Sequence, residues 1–287
     1  MISGSVAEVR NVKRFVEWLL RPAGLQVSRR DRTIVIPKPE ATFPLFGCPG
    51  VDWNESAVEA FLAGPLQAFS TEYKAFPRDS PNGGYYSDNP NFGLVDAAVC
   101  YAFVRFRRPS LVVEIGSGFS TRILRSAIDK NGGGRLVSID PAPRVSIKGL
   151  CDEHHPVRVQ TMPVDWFRRL SPDAVLFIDS SHVASTGSDV VYLLLEVLPA
   201  APQGLLIHIH DIFLPEDYPR SWNCDRGFNF SEQYLLHALL CYSNGFRVLW
   251  PGRWVARNRP DWLNTIVRDG KDLERHCSFW LERGSNA

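Results

Sequence analysis

One stretch constrains this chain more than any other: Leu111-Val-Val-Glu-Ile-Gly-Ser-Gly-Phe-Ser-Thr-Arg-Ile-Leu124. A short apolar run takes in an acid, breaks at two glycines one residue apart, and then adopts helical spacing. Strand, tight turn and helix in that order mark the point where an open α/β sheet receives a nucleotide-like ligand, beyond the carboxyl end of its first strand. The downstream sequence completes such a sheet. Strand patterns at 111–115, 135–139, 157–161, 174–179, 204–210 and 246–250 alternate with helical patterns at 120–130, near 143–152, at 186–198 and at 231–243. That alternation predicts a parallel sheet with right-handed crossovers. Leu94 to Val104 predicts a helix ahead of the first strand, ending by Pro109. Ser278-Phe-Trp-Leu-Glu-Arg283 also alternates like a strand. No crossover separates it from 246–250, so an antiparallel closing strand is expected.

Residues 1–88 read differently and are expected to form an N-terminal helical cap and lid segment, with the main domain over 89–287. Val6, Val9, Phe15, Val16, Leu19 and Leu20 suit an amphipathic helix, and Thr33–Pro37 a short strand. Prolines 37, 39, 44 and 49 then break regular structure, and a second helix is predicted from Ser56 to Ala63. The polar loop 74–91, with Tyr85 and Tyr86, reads either as a lid over a ligand or as a linker.

Composition removes several classes. The net charge is +1 over 287 residues, so a nucleic-acid surface is not expected, and Arg105-Phe-Arg-Arg108 reads as a solvated helix end. No apolar run approaches the roughly 20 residues of a membrane span. No signal peptide is visible at the N-terminus, and the six cysteines are scattered with no Cys-x-x-Cys pair. Free thiols in the cytoplasm are the expectation.

The turn itself admits two ligands. A dinucleotide site wants a third small residue where Thr121 stands, and Glu114 before Gly116, Ser117 and Gly118 is poorly placed for a pyrophosphate. An acid there suits a cationic donor without phosphate, such as S-adenosylmethionine, whose amino-acid portion the glycines let close to the backbone. Asp140 ends the second strand about 20 residues on, the spacing at which an acid accepts ribose hydroxyls. That role serves NAD as well as S-adenosylmethionine. At the ends of the next two long strands stand Asp179, Ser180, Ser181 and His182, and then His208, His210 and Asp211. Both ends open on one crevice, so these groups are expected to converge there and to bind a divalent metal or transfer protons. Alternation assigns His208 to the packed strand, while His210 sits where the strand ends.

With these blocks the sequence resembles the class I S-adenosylmethionine-dependent methyltransferases over roughly residues 89–287. The resemblance implies a Rossmann-like, seven-stranded, mostly parallel sheet with helices on both faces and one antiparallel strand near its edge. It implies the donor bound at Glu114, Gly116, Ser117, Gly118, Asp140 and Asp179. Asp179-x-x-His182 is further similar to the metal-dependent O-methyltransferases of macrolide sugars, which implies Asp179 and Asp211 as metal ligands and His182 as general base. His210 stands where that family has an acid. An added imidazole would move the preference from Mg²⁺ toward Mn²⁺, Fe²⁺ or Zn²⁺. The expected reaction is methyl transfer to a small-molecule acceptor, a hydroxyl oxygen first. The competing readings are an NAD-dependent oxidoreductase and a non-catalytic S-adenosylmethionine-binding protein. The aromatic insert 215–230 is expected to shape the acceptor pocket with the 74–91 loop; a contact between copies of the chain, making a homo-oligomer, is the alternative.

Overall fold

The computed structural model describes residues 47–79 and 83–284, all within one compact unit, Phe43–Ala287. The helix expected over 6–20 and the strand expected at 33–37 lie outside the described residues. The helices are α1 (Glu55–Phe61, running on as a wide turn through Leu62–Leu66), α2 (Ser70–Lys74), α3 (Leu94–Arg107), α4 (Phe119–Asn131), α5 (Val164–Arg168), α6 (Asp189–Tyr192, continued by the wide turn Leu193–Val197 and by Leu198–Ala200), α7 (Glu232–Tyr242), α8 (Gly252–Asn258) and α9 (Gly270–Glu274). The strands are β1 (Leu111–Ile115), β2 (Arg135–Ile139), β3 (Glu153–His155), β4 (Val175–Ile178), β5 (Leu206–Ile209), β6 (Phe246–Pro251) and β7 (Phe279–Arg283).

The seven strands form one sheet in the order β3-β2-β1-β4-β5-β7-β6. β7 inserts between β5 and β6 and runs antiparallel to both, while β1 to β5 pair in parallel. The central strands are covered on both faces, which is why Val-Leu-Phe-Ile of β4 is an unbroken, fully buried apolar run. Side-chain alternation divides the core. Val112, Leu136, Phe177, Leu206 and Trp280 pack with α3 and α4. Val113, Ile115, Ile139, Ile178 and Ile209 pack with α6 and α7 on the opposite face. α3 is buried from Leu94 through Val104, so it is apolar all round rather than amphipathic. Its Phe103 stacks between Phe61 of α1 and Trp280 of β7, with ring centroids 4.0 and 4.5 Å away. Truncating such a ring to alanine costs about 3–5 kcal/mol. Residues 47–79 are thus built onto the sheet through α1.

Two expected elements differ. The helix near 143–152 is a series of turns, because Pro141 and Pro143 interrupt it and Gly149 takes φ +77°. The third strand is Glu153–His155, not 157–161, where a single 3₁₀ turn spans Val159–Thr161. A polar edge strand exposed to solvent has no apolar alternation to announce it. Among the described residues no helix is long and apolar enough to cross a membrane.

Register places the next features. Ile115 pairs with Ile139 and with Ile178, and Ile178 pairs with Ile209, so β1, β2, β4 and β5 end level. The following residue of each strand therefore falls in one row along the carboxyl edge: Gly116, Asp140, Asp179 and His210. Backbone hydrogen bonds extend the ladder by that one residue, from Gly116 N to Ile139 O (3.2 Å), Asp179 N to Ile115 O (2.9 Å) and His210 N to Ile178 O (2.9 Å).

Candidate active site

The row opens on a cavity of about 530 Å³, a usual size for a small-molecule site. Gly116, Ser117 and Gly118 line one part of its wall, Asp140 the next, and Asp179, His210 and Asp211 the far part. The two glycines have different reasons to be glycine. Gly116 has φ +80°, and a Cβ on it would lie 1.9 Å from the carbonyl oxygen of Asp179, so the crossing of the β1 turn over the β4 end demands it. Gly118 has φ −177° and ψ −123°, and a Cβ there meets nothing within 4 Å among the described residues.

Glu114 and Thr121 brace this turn from behind. Glu114 is completely buried and accepts hydrogen bonds from the hydroxyls of Ser120 and Thr121, each at 2.7 Å. The Thr121 oxygen in turn accepts from the Gly118 N–H at 3.0 Å. Burial pushes the Glu114 carboxyl up to about 8, against the hydroxyls that favour its charge. Glu114 is not part of the cavity wall. Side-chain alternation along β1 aims it at α4, behind the turn. Asp140 does face the cavity, and both its oxygens are held by backbone N–H groups, of Ser117 and Ala142, each at 2.7 Å.

The far part is crowded with charge. His182 is buried, with Nδ1 2.9 Å from Glu232 and Nε2 3.2 Å from Asp179 and 3.4 Å from Asp211. His210 Nδ1 lies 3.4 Å from Asp211 and 3.7 Å from Asp179. Burial alone would lower the His182 pKa; Asp179, Asp211 and Glu232 reverse that and raise it to about 10. His210 is raised against burial as well, by Cys277, Asp211 and Asp179. Asp179, which burial would raise, is held below the usual carboxylate range by His210 and His182. His182 and Asp211 take left-handed backbone angles, φ +59° and +56°, conformations that cost about 1–3 kcal/mol each and concentrate at functional sites. Asp179, His210 and Asp211 each offer one ligand atom, all within 4.8 Å of one another, so this donor set fits a divalent cation. His182 stands behind them rather than on the cavity wall. His208 stacks on Phe177 with centroids 3.9 Å apart and bonds to Ser278, the packed role that alternation predicts.

Sequence reasoning passed over three residues. Glu232 opens α7 beneath His182, and Cys277 places its thiol 3.2 Å from Asp211. Asp96 of α3 reaches His210 Nε2 at 3.4 Å. Asp96 did carry a signal, since it is the only acid in the apolar run Leu94–Val104. The insert 215–230 contributes nothing to the cavity wall. Its rings pack on each other instead: Tyr218, Trp222 and Phe230 gather with Phe213, and the Phe230 ring lies 4.7 Å from His182. Asn91 and Phe92, at the end of the other loop, do reach the wall.

Residues 113–212 match a family described as a methyltransferase domain. Those residues carry a methyltransferase domain. Its matched span runs from β1 to the residue after Asp211 and so contains the whole row of strand ends. No curated protein matches in sequence. Among solved structures, the domain is similar to the O-methyltransferase TomG from Streptomyces achromogenes, involved in tomaymycin synthesis and solved with S-adenosylmethionine (15% identity, 81% of this chain and 97% of that one, TM-score 0.44). An O-methyltransferase from Bacillus cereus in complex with S-adenosylhomocysteine is 11% identical over 96% of this chain and 99% of its own, with TM-score 0.43. The branched-chain polyamine synthase from Thermus thermophilus, solved with N4-aminopropylspermidine and 5'-methylthioadenosine, is 16% identical over 95% and 78%, with TM-score 0.42.

Proposed function

We propose that this methyltransferase domain moves the methyl group of S-adenosylmethionine to a hydroxyl oxygen of a small molecule. One observation carries the reading: a glycine turn, a ribose-type acid and a carboxylate–imidazole cluster stand in a single row on one cavity. Gly118 leaves open space where the amino-acid portion of the donor lies against the turn, and no described residue crowds a Cβ there. Asp140, already fixed by two backbone N–H groups, accepts the ribose hydroxyls. Asp179, His210 and Asp211 are the residues that would hold a divalent cation. Such an ion, when bound, supplies Lewis acidity that lowers the pKa of an acceptor hydroxyl. The domain's own contribution is to hold donor and acceptor in line at near-attack distance. His182 is the group that takes the acceptor's proton, through Asp179. The carboxylates that keep it protonated must first have their charge compensated. The five described cysteines are free thiols, which supports a reducing, cytoplasmic setting.

The test is donor binding followed by transfer. Equilibrium dialysis should give saturable binding of radiolabelled S-adenosylmethionine and none of NAD. Label should then pass to hydroxylated small molecules, more slowly after exhaustive chelation and again at full rate when Mg²⁺ or Mn²⁺ is returned. Saturable NAD binding without S-adenosylmethionine binding would overturn the reading; unchanged transfer after chelation would remove the cation from it.

A further inference from the structure

Behind His210 lies a buried polar chain that the reaction as described does not use. Trp250 Nε1 donates to His276 Nε2 at 2.9 Å. An indole N–H has no acceptor capacity, so His276 Nε2 must be the lone pair and its ring proton sits on Nδ1. That Nδ1–H donates to Asp96 Oδ1 at 2.5 Å. The same oxygen also accepts the backbone N–H groups of Cys277 (3.3 Å) and Ser278 (3.0 Å). With three donors on Oδ1, the second oxygen of Asp96 is left to face His210 Nε2 at 3.4 Å, with the Cys277 thiol at 4.0 Å. Asp96, His210 and His276 are each no more than 2% exposed, so water does not compete for these contacts.

We propose that Asp96 is a positioning residue that keeps a proton on Nε2 of His210 and thereby turns the Nδ1 lone pair toward Asp179 and Asp211. With its proton held on Nε2, His210 turns Nδ1 toward two carboxylates, an arrangement made favourable either by a second ring proton, which is how those carboxylates raise the His210 pKa, or by a cation between them. Trp250 and His276 fix Asp96, and Asp96 fixes His210, as an outer carboxylate orients a ligand imidazole. The cation half of this argument rests on the reading of Asp179, His210 and Asp211 given above. The tautomer half does not.

The experiment compares the wild type with Asp96→Asn. Three donors surround Oδ1, so the asparagine oxygen must take that place, and its amide N–H₂ must point at His210 Nε2. The substitution therefore inverts the ring: Nε2 becomes the acceptor and the proton moves to Nδ1. Nitrogen-15 NMR of histidine-labelled protein, with the His210 signals assigned by their loss in His210→Asn, reads this directly at a pH where the ring is neutral. Calorimetric titration with Mn²⁺ alone reads the consequence. The expected result is an Nε2–H His210 in the wild type, an Nδ1–H His210 in Asp96→Asn, and Mn²⁺ affinity about 10–100-fold weaker in the variant. The same tautomer in both proteins overturns the proposal. So does a neutral wild-type His210 with its proton on Nδ1, and that spectrum decides the matter even if the variant does not fold. If the tautomers invert as stated but the wild type takes up no Mn²⁺, the positioning role stands and the cation reading fails.

Discussion

The two ends of the cavity are built on opposite principles. At the β1–α4 turn, charge is absorbed: the two oxygens of Glu114 meet two hydroxyls, and those of Asp140 meet two backbone N–H groups, all at 2.7 Å. At the β4 and β5 ends, charge is concentrated. Asp179, Asp211 and Glu232 surround His182, and His210 stands 3.4–3.7 Å from two of them. Two residues there accept left-handed backbone angles, and Glu232 Oε1 is buried with no hydrogen-bond partner among the described residues. The first end is complete before any ligand arrives, as suits a surface that binds by backbone contact and shape. The second holds its charges in tension, as suits a place where binding and chemistry redistribute them.

The sharpest way to break this contrast is to neutralise one acid at each end. Asp179→Asn should lower turnover by about 10²–10⁴-fold while donor affinity changes at most a few-fold. Asp140→Asn should do the reverse, weakening donor binding about tenfold, or ~1.4 kcal/mol, with kcat nearly kept. Single-turnover kinetics with separate donor titrations measures both. Equal loss of donor binding in the two variants would mean that the ends do not divide the work.

A second pair of substitutions works within the turn. Gly116→Ala must place its Cβ 1.9 Å from the Asp179 carbonyl at φ +80°, so overpacking and left-handed strain add. A destabilisation of about 3 kcal/mol or more is expected. Gly118→Ala meets no atom within 4 Å, so its stability should stay within about 0.5 kcal/mol while donor affinity falls about tenfold. Urea unfolding beside donor titration separates these outcomes. Equal destabilisation by the two substitutions would remove the distinction between a glycine kept for the fold and one kept for the ligand.

The fold was legible where burial dictates sequence. β1, β2, β4 and β5 are apolar because both faces are covered, and their ends mark the row that carries Gly116, Asp140, Asp179 and His210. β3 was misplaced because Glu153-His-His155 lies at the sheet edge and buries nothing. The chemistry-bearing residues could be gathered from their positions after strands, but their orientation could not. Alternation within β1 aims Glu114 at α4, but nothing in a sequence says that His182, beyond the end of β4, lies behind Asp179. Those directions come from strand alternation on the one hand and a left-handed backbone turn on the other. Asp96 and His276 come from elements far apart in the chain, and only the packing of α3 beneath β7 brings them to His210.

A thermodynamic signature completes the comparison by giving each end its own pH window. Glu114 titrates near 4.5 unfolded and near 8 folded, and His182 near 6.5 unfolded and near 10 folded. In both cases the folded state holds the proton longer, so stability falls as pH rises between the two values. For Glu114 the loss runs from about pH 4.5 to 8, and for His182 from about 6.5 to 10. In chelator-treated protein Tm should therefore decline from mildly acidic to alkaline pH, each kcal/mol lost lowering it by roughly 2–4 °C. Glu114→Gln cannot ionise, so it should remove the lower part of that decline and become the more stable protein by pH 8–9, while remaining slightly less stable at pH 5. His182→Gln should remove only the upper part. Calorimetry across this range decides the matter. A Glu114→Gln curve parallel to the wild type at every pH would show that the turn does not hold a buried acid whose charge is suppressed, and the contrast between the two ends would lose its electrostatic basis.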